Sequence, residues 1–319
     1  MDIFYALIVI IGLAVFETVC SIDNAIINAD ILSTMREKAR RWFLTWGLII
    51  AVFVVRGILP WLIIWISSPG LGLMGALTAT FSGDETAAAA ISASAPYLLT
   101  GGGVFMFFLF LYWLFIEEKH CIVPGERFCT KHGIRCFHAV AGIFLVLLAA
   151  GMGILTQNIG IGAAACVGAV IFLIIMLLRR GADKKTAEME KSCSVSSSNQ
   201  SDITKLMLLE VIDATFSVDG VVGAFAFTLS VPLILIGNGI GALVVRELTI
   251  HNIKNIQRFA YIKNGAMYSI LCLGVVMCLE ALGVDLPIWF TPALTICIVG
   301  GFFAVSVMKI KKDKANAGK

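Results

Sequence analysis

The stretch Ile3–Ala29, IFYALIVIIGLAVFETVCSIDNAIINA, decides the fold because it is long enough to cross a bilayer as a helix. A transmembrane helix needs about 20 predominantly apolar residues. A carboxylate at its centre costs about 2.5–3.5 kcal/mol on insertion scales. Two carboxylates, Glu17 and Asp23, nevertheless lie in its second half. We therefore interpret the stretch as a membrane span whose acidic residues have a function.

The composition of the whole chain agrees with a membrane protein. Of its 319 residues, 59% are hydrophobic and 14% are charged, and the mean hydropathy is +0.94. Ordinary soluble proteins have about 25% charged residues, and a soluble chain of this size would leave much apolar surface in water. Soluble enzymes, nucleic-acid binders and secreted disulfide scaffolds are excluded. We expect a non-enzymatic, all-α polytopic helix bundle in a lipid bilayer.

Apolar runs of about 20 residues predict nine transmembrane helices. They cover Ile3–Ala29, Trp42–Ile66, Thr100–Ile116, Phe137–Leu155, Gly160–Leu178, Leu206–Leu229, Val231–Ile250, Gly265–Leu282 and Ile288–Met308. The stretch Ser67–Leu99 has no Lys or Arg, and we expect an outer loop with a short helix or a re-entrant segment.

The basic residues indicate the orientation. Of the 24 Lys and Arg residues, 22 lie in alternate loops and the C-terminal tail. Because cytoplasmic loops carry the excess of Lys and Arg, the N-terminus is predicted outside and the C-terminus in the cytoplasm. The Ser-rich stretch Arg179–Thr204 is predicted to be a flexible linker. The predicted organisation is a first membrane half (1–178), a cytoplasmic linker (179–205), a second membrane half (206–308) and a basic tail (309–319).

The two halves contain an internal repeat. Both Glu17–Asp23 and Asp213–Asp219 read acid-x3-Ser-x-Asp, so that Ser21 matches Ser217. In the spans that follow, Gly47 and Arg56 match Gly237 and Arg246 with the same spacing. The copies start five spans apart and therefore cross the membrane in opposite directions. Inverted repeats of this kind hold substrate near the bilayer midplane in secondary transporters.

The repeated motifs supply oxygen ligands. Carboxylate and amide oxygens suit Mn²⁺, Mg²⁺ or Ca²⁺ better than soft metals. The predicted site comprises Glu17, Asp23, Asn24, Asp213 and Asp219, supported by the polar side chains of Ser21, Ser217 and Asn28.

Local backbone geometry and charge balance leave alternatives open. Asp23 lies about 120° round a regular helix from Glu17, so it either faces the second repeat or the helix loosens near Ser21. Gly220 would allow similar unwinding in the second motif. The alternative function for the carboxylates is to pair with Arg56 or Arg246, which we expect to balance charge, and so to stabilise the bundle only.

These features predict a divalent-cation exporter. Moving a divalent cation out of a cell that is negative inside costs about 4.6 kcal/mol per 100 mV. Export therefore needs coupling, most simply to entering protons, and carboxylates that bind metal when ionised release it when protonated. Two alternatives are a membrane factor that assists assembly or metallation of envelope proteins and an exporter of a small cationic metabolite.

The chain resembles the TerC family of integral membrane proteins, within the lysine-exporter-type transporters, and looks closest to a branch with a longer inter-motif region. The resemblance rests on Glu17-x3-Ser21-x-Asp23-Asn24 and Asp213-x2-Phe216-Ser217-x-Asp219. It implies a bacterial cytoplasmic-membrane protein associated with manganese efflux and with tellurium-compound resistance. It also implies that Glu17, Asp23, Asn24, Asp213 and Asp219 are the ion-site residues.

Overall fold

The protein is all-α, as the composition predicts. A computed structural model describes residues 3–33, 35–47, 50, 56–67, 70, 72–82, 85–117, 119, 121–122, 124–195, 202–251, 259 and 261–317. Within these ranges the chain forms helices and turns, with no strand. The helices are α1 (Ile3–Cys20), α2 (Ile22–Ser33), α3 (Glu37–Trp42), α4 (Arg56–Ser67), α5 (Gly72–Ser82), α6 (Glu85–Phe115), α7 (Pro124–Leu155), α8 (Ile159–Val195), α9 (Asp202–Ala224), α10 (Val231–His251), α11 (Ile262–Ala281) and α12 (Phe290–Ala317), with a π-helix over Phe43–Gly47.

The chain is a multi-pass membrane protein. Six helices in the described ranges are long and apolar enough to cross a membrane, judged by length and composition: Ile3–Cys20, Ile91–Phe115, Cys136–Leu155, Ile159–Gly181, Ile262–Ala281 and Phe290–Lys312. They correspond to the first, third, fourth, fifth, eighth and ninth predicted spans. The second predicted span includes residues outside the described ranges, and α9 and α10 lie at the sixth and seventh. The count of nine and the orientation stay predictions.

Helix α6 forms the centre of the bundle. Its Phe105, Met106, Leu109 and Trp113 are almost fully buried, and it packs against α7, α8 and α11. Small residues allow close approach: a Cβ atom at Gly103 would lie 3.1 Å from the Gly274 carbonyl oxygen on α11. Close backbone contact through small residues is typical of helices associating in lipid, where apolar side chains gain little by leaving the lipid tails.

The outer helices present apolar side chains away from the bundle. Ile143 and Leu147 on α7 and Leu177 on α8 are exposed. In a soluble protein such side chains would be a liability. On helices that cross a membrane they are the surface that contacts lipid.

The region before the third predicted span is more helical than expected. Helix α6 starts at Glu85 rather than near Thr100, and the short α5 precedes it. The Ala-rich run 87–90 favours a helix because alanine has the highest helix propensity. The predicted short helix is therefore present, but the second half of Ser67–Leu99 is the start of a long helix.

The predicted flexible linker Arg179–Thr204 is also largely helical. Helix α8 continues to Val195, and α9 begins at Asp202. The sequence after Arg180, GADKKTAEMEK, is rich in Ala, Lys and Glu, which are good helix formers. The Ser-rich end of this stretch, residues 196–201, lies outside the described residues.

Candidate functional site

The first acidic motif lies at a helix junction. Helix α1 ends at Cys20, Ser21 forms a turn, and α2 begins at Ile22. The Ser21 amide still donates to the Glu17 carbonyl at 3.0 Å, and the Ala25 amide donates to the Ser21 carbonyl at 2.9 Å. The interruption is thus local, and it corresponds to the second of the two alternatives, in which the helix loosens near Ser21.

The second acidic motif lies in an unbroken helix. Helix α9 runs through Gly220 and Gly223 and ends at Ala224, so the predicted unwinding at Gly220 is wrong. Gly220 serves close packing instead. A Cβ atom at this position would press directly on Oε2 of Glu17, and the absence of a side chain leaves room for that carboxylate.

The two repeats lie against each other in related ways. A Cβ atom at Gly237 on α10 would lie 2.5 Å from the Cβ of Leu13 on α1. A Cβ atom at its counterpart Gly47 would lie 2.5 Å from Oε1 of Glu210 on α9. When Glu17 is aligned with Asp213, Leu13 corresponds to Leu209, the residue next to Glu210. Each glycine therefore contacts nearly the equivalent position of the other repeat. This reciprocity supports the internal repeat found in the sequence, whose inverted topology stays a prediction.

Glu17 is at the centre of this arrangement and is only 1% exposed. Its Oε1 accepts a hydrogen bond from Ser21 Oγ at 2.5 Å and lies 2.8 Å from an Nη atom of Arg56 on α4. Arg56 also donates from Nε to Ser217 Oγ at 3.3 Å and from its other Nη to the Asn238 carbonyl at 3.4 Å. One guanidinium therefore connects α1, α9 and α10, and it brings the two matched serines to one ion pair.

Asp219 forms a second buried ion pair. Its Oδ2 pairs with Arg179 near the predicted cytoplasmic end of the α8 span, and both side chains are buried. The sequence places both Arg179 and Arg180 at the start of the predicted cytoplasmic linker, because the two arginines directly follow the same apolar run. Nothing in the sequence separates them, yet the Arg180 guanidinium is exposed and lies 5.9 Å from the Tyr112 ring centroid.

The other predicted site residues fall into three groups. Asp213 is half-buried and close enough to Glu17 for the two charges to repel, and Asn28 is buried. Arg246 is half-buried on α10, and its buried Nε has no hydrogen-bond partner among the described residues. The side chains of Asp23 and Asn24 lie outside those described, so their predicted role stays a prediction.

Both ion pairs leave polar atoms unused. Within the described part of the chain, Glu17 Oε2, Asp219 Oδ1 and both side-chain polar atoms of Asn238 are buried without a hydrogen-bond partner. Sequence analysis missed Asn238, although an amide within an apolar span was a visible signal. Since an unsatisfied buried polar atom costs about 1–3 kcal/mol, the carboxylate oxygens of Glu17 and Asp219 and the amide oxygen of Asn238 are suited to bind a cation, whereas the Asn238 amide nitrogen can only donate a hydrogen bond.

The described side chains do not form a complete metal site. Among them, no group of three or more His, Cys, Asp or Glu residues is arranged to hold a metal ion. In this conformation Glu17 and Asp219 instead face guanidinium groups, which cannot coordinate a cation. Both carboxylates therefore pair with arginines, as the alternative of a purely stabilising role predicts. Arg56 is one of the partners, as expected, but Arg179 replaces Arg246 as the other.

Comparison with known proteins gives a family. The chain matches the family described as "Protein of unknown function (DUF475)" over residues 22–313. It belongs to this family. No curated protein and no solved structure matches the chain. The DUF475 match includes Arg56, Arg179, Asp213 and Asp219, and it begins just after the Glu17–Ser21 pair. It is a family-level match, so the TerC resemblance remains a prediction.

Proposed function

We propose that this protein exports a divalent cation across the bacterial cytoplasmic membrane, with Mn²⁺ as the first candidate and protons as the counter-ion. Mg²⁺ and Ca²⁺ use the same oxygen ligands and are the next candidates. The TerC resemblance supports manganese efflux and, through metal balance, a role in tellurium-compound resistance. In this proposal Glu17 and Asp219 are central ligands, with Asp23, Asn24 and Asp213 completing the site.

The observation that carries the proposal is the half-used state of the two buried carboxylates. A structural Arg–carboxylate pair commonly uses both oxygens in a bidentate contact, and a buried ion pair stabilises only when its remaining atoms are also satisfied. Glu17 and Asp219 each use one oxygen and leave the other buried without a hydrogen-bond partner among the described residues. An unsatisfied buried oxygen lowers the stability of the fold, so the arrangement does not suit a purely structural ion pair. It does suit a carboxylate that must exchange an arginine for a cation.

The arginines then have a place in the transport cycle. Arg56 and Arg179 neutralise the carboxylates when no cation is bound, which lowers the cost of an empty site in the membrane. A cation reaching the site displaces the guanidinium groups because it offers the carboxylates a higher charge. Protons that enter from outside neutralise the carboxylates and release the metal.

The experiment is the manganese content of a manganese-sensitive bacterial host under manganese load. It compares wild type with Glu17→Gln, Asp219→Asn and the control Glu126→Gln, each with its expression measured. Glu126 is buried like Glu17, but both of its oxygens accept hydrogen bonds. We expect wild type and Glu126→Gln to lower cell manganese and the other two variants to leave it high.

Two results would contradict this proposal. Unchanged levels of every divalent metal with wild type would overturn cation export. Manganese lowered equally by all the variants would keep export and remove Glu17 and Asp219 from the site.

A further inference from the structure

A second carboxylate region lies between α3 and α9, on the side of the bundle that we predict to be cytoplasmic. A cleft of about 980 Å³ separates the two helices there. Its walls include Arg36, Trp42, Asp202, Leu206, Met207 and Glu210. An ion pair between Arg36 Nε and Asp202 Oδ2, at 2.6 Å, connects the residues before α3 to the start of α9.

Glu210 is the carboxylate of this cleft that lies deepest along α9. Its side chain is half-buried and its Oε1 is buried without a hydrogen-bond partner among the described residues. No arginine or lysine pairs with it in that part of the chain. The carboxylate packs against Gly47, where a Cβ atom would lie 2.5 Å from Oε1, so a larger residue would displace it.

The face of α9 that carries Glu210 leads toward the buried ion pairs. Glu210, Asp213 and Ser217 follow at spacings of three and four, which places them on one side of the helix. The charges of Glu210 and Asp213 repel each other, and Asp213 acts in the same way on Glu17. Carboxylates therefore follow one another from the cleft to the centre of the bundle.

We propose that the cleft between α3 and α9 is the cytoplasmic entrance of the cation pathway and that Glu210 is the first carboxylate that a divalent cation binds there. This inference rests on the proposed function and assigns a residue and a route to it. The cleft must then contain water. Because most of its wall is apolar, a lipid chain is the competing occupant, and the experiment separates the two.

The first measurement compares two substituted cysteines in inverted membrane vesicles. Met207 in the cleft and Leu177 on the outer face of α8 are both 68% exposed. A permanently charged methanethiosulfonate reagent is added to the cytoplasmic side, and modification is read by mass spectrometry of each peptide, which separates the new thiol from the nine native cysteines. We expect Met207→Cys to react at least about tenfold faster than Leu177→Cys, because the reactive thiolate forms in water. Equally slow modification of both would place lipid in the cleft and overturn the inference.

The second measurement is the concentration dependence of Mn²⁺ transport in the same vesicles. Glu210→Gln should raise KM about tenfold with kcat nearly unchanged, since an entrance ligand contributes to binding rather than to the later step. Glu247→Gln on α10, outside the cleft lining, is the control and should leave KM unchanged. An unchanged KM for Glu210→Gln would overturn its role even if Met207→Cys is labelled. Absence of Mn²⁺ transport by wild type would overturn the proposed function and with it the role of Glu210, whereas the labelling by itself decides whether the cleft holds water.

Discussion

Glu17 and Glu126 are both only 1% exposed, yet their surroundings differ. Glu126, near the start of α7, accepts hydrogen bonds from the Ile122 amide and the Tyr268 hydroxyl, both at 2.7 Å, one on each oxygen. Glu17 uses Oε1 twice, for Ser21 and Arg56, and leaves Oε2 without a partner among the described residues. Burial alone therefore does not indicate a functional carboxylate. Glu126, with a hydrogen bond on each oxygen, joins two parts of the fold. Glu17, with only one oxygen in use, is suited to exchange partners.

The largest effect should come from Arg56→Met, which leaves the Glu17 charge buried and unpaired. Removing one partner of a buried pair costs about 3–5 kcal/mol, so the free energy of unfolding in detergent should fall by about this amount. Adding Glu17→Gln should recover much of the loss, because the stranded charge is removed. A double variant that is no more stable than Arg56→Met would mean that the pair is not the source of the cost.

A smaller loss is expected from Glu126→Ala. The substitution leaves the Tyr268 hydroxyl and the Ile122 amide without their partner. Because Ile122 is exposed and Tyr268 is half-buried, water can reach both groups, and each should cost about 1 kcal/mol, at the lower end of the range for an unsatisfied group. Thermal unfolding should reveal the loss, while Mn²⁺ export per folded molecule stays at the wild-type level. A fall in export per folded molecule would contradict the structural role of Glu126.

Gly220→Ala should lower both the stability of the protein and its export activity, because it acts on Glu17. The new Cβ atom would press on Oε2 of Glu17, and overpacking of this kind costs about 1–3 kcal/mol. Export should fall as well, because the space beside the carboxylate is filled. Gly142→Ala on α7 is the matched control: a Cβ atom there meets nothing within 4 Å, and we expect unchanged export and slightly higher stability.

The smallest effect should come from Arg36→Ala at the edge of the cleft. Its partner Asp202 is much less exposed, but the guanidinium is largely in solvent. Solvent and salt screen such a pair, which contributes at most about 1 kcal/mol. Chemical denaturation should therefore give nearly the same unfolding free energy as wild type, and any difference should shrink at high salt. A loss comparable to that of Arg56→Met would mean that the cleft edge is a structural element.

Local composition predicted helices well but placed their ends less well. The sequence predicts an outer loop with a short helix or a re-entrant segment before Thr100, and a flexible linker after Leu178, since neither stretch continues an apolar run. Both are helical. A membrane protein can continue a helix beyond the lipid, so hydropathy reports where lipid ends rather than where the helix ends.

The sequence by itself determined that the chain is helical, crosses a membrane several times and carries two acidic motifs that repeat each other. These properties depend on hydropathy, propensity and spacing, which are local. Only the tertiary structure decided that Arg56 pairs with Glu17, that Arg179 rather than Arg246 pairs with Asp219, and that each carboxylate keeps one oxygen without a partner among the described residues. Those contacts join helices that are distant along the chain, and packing alone determines which charges meet.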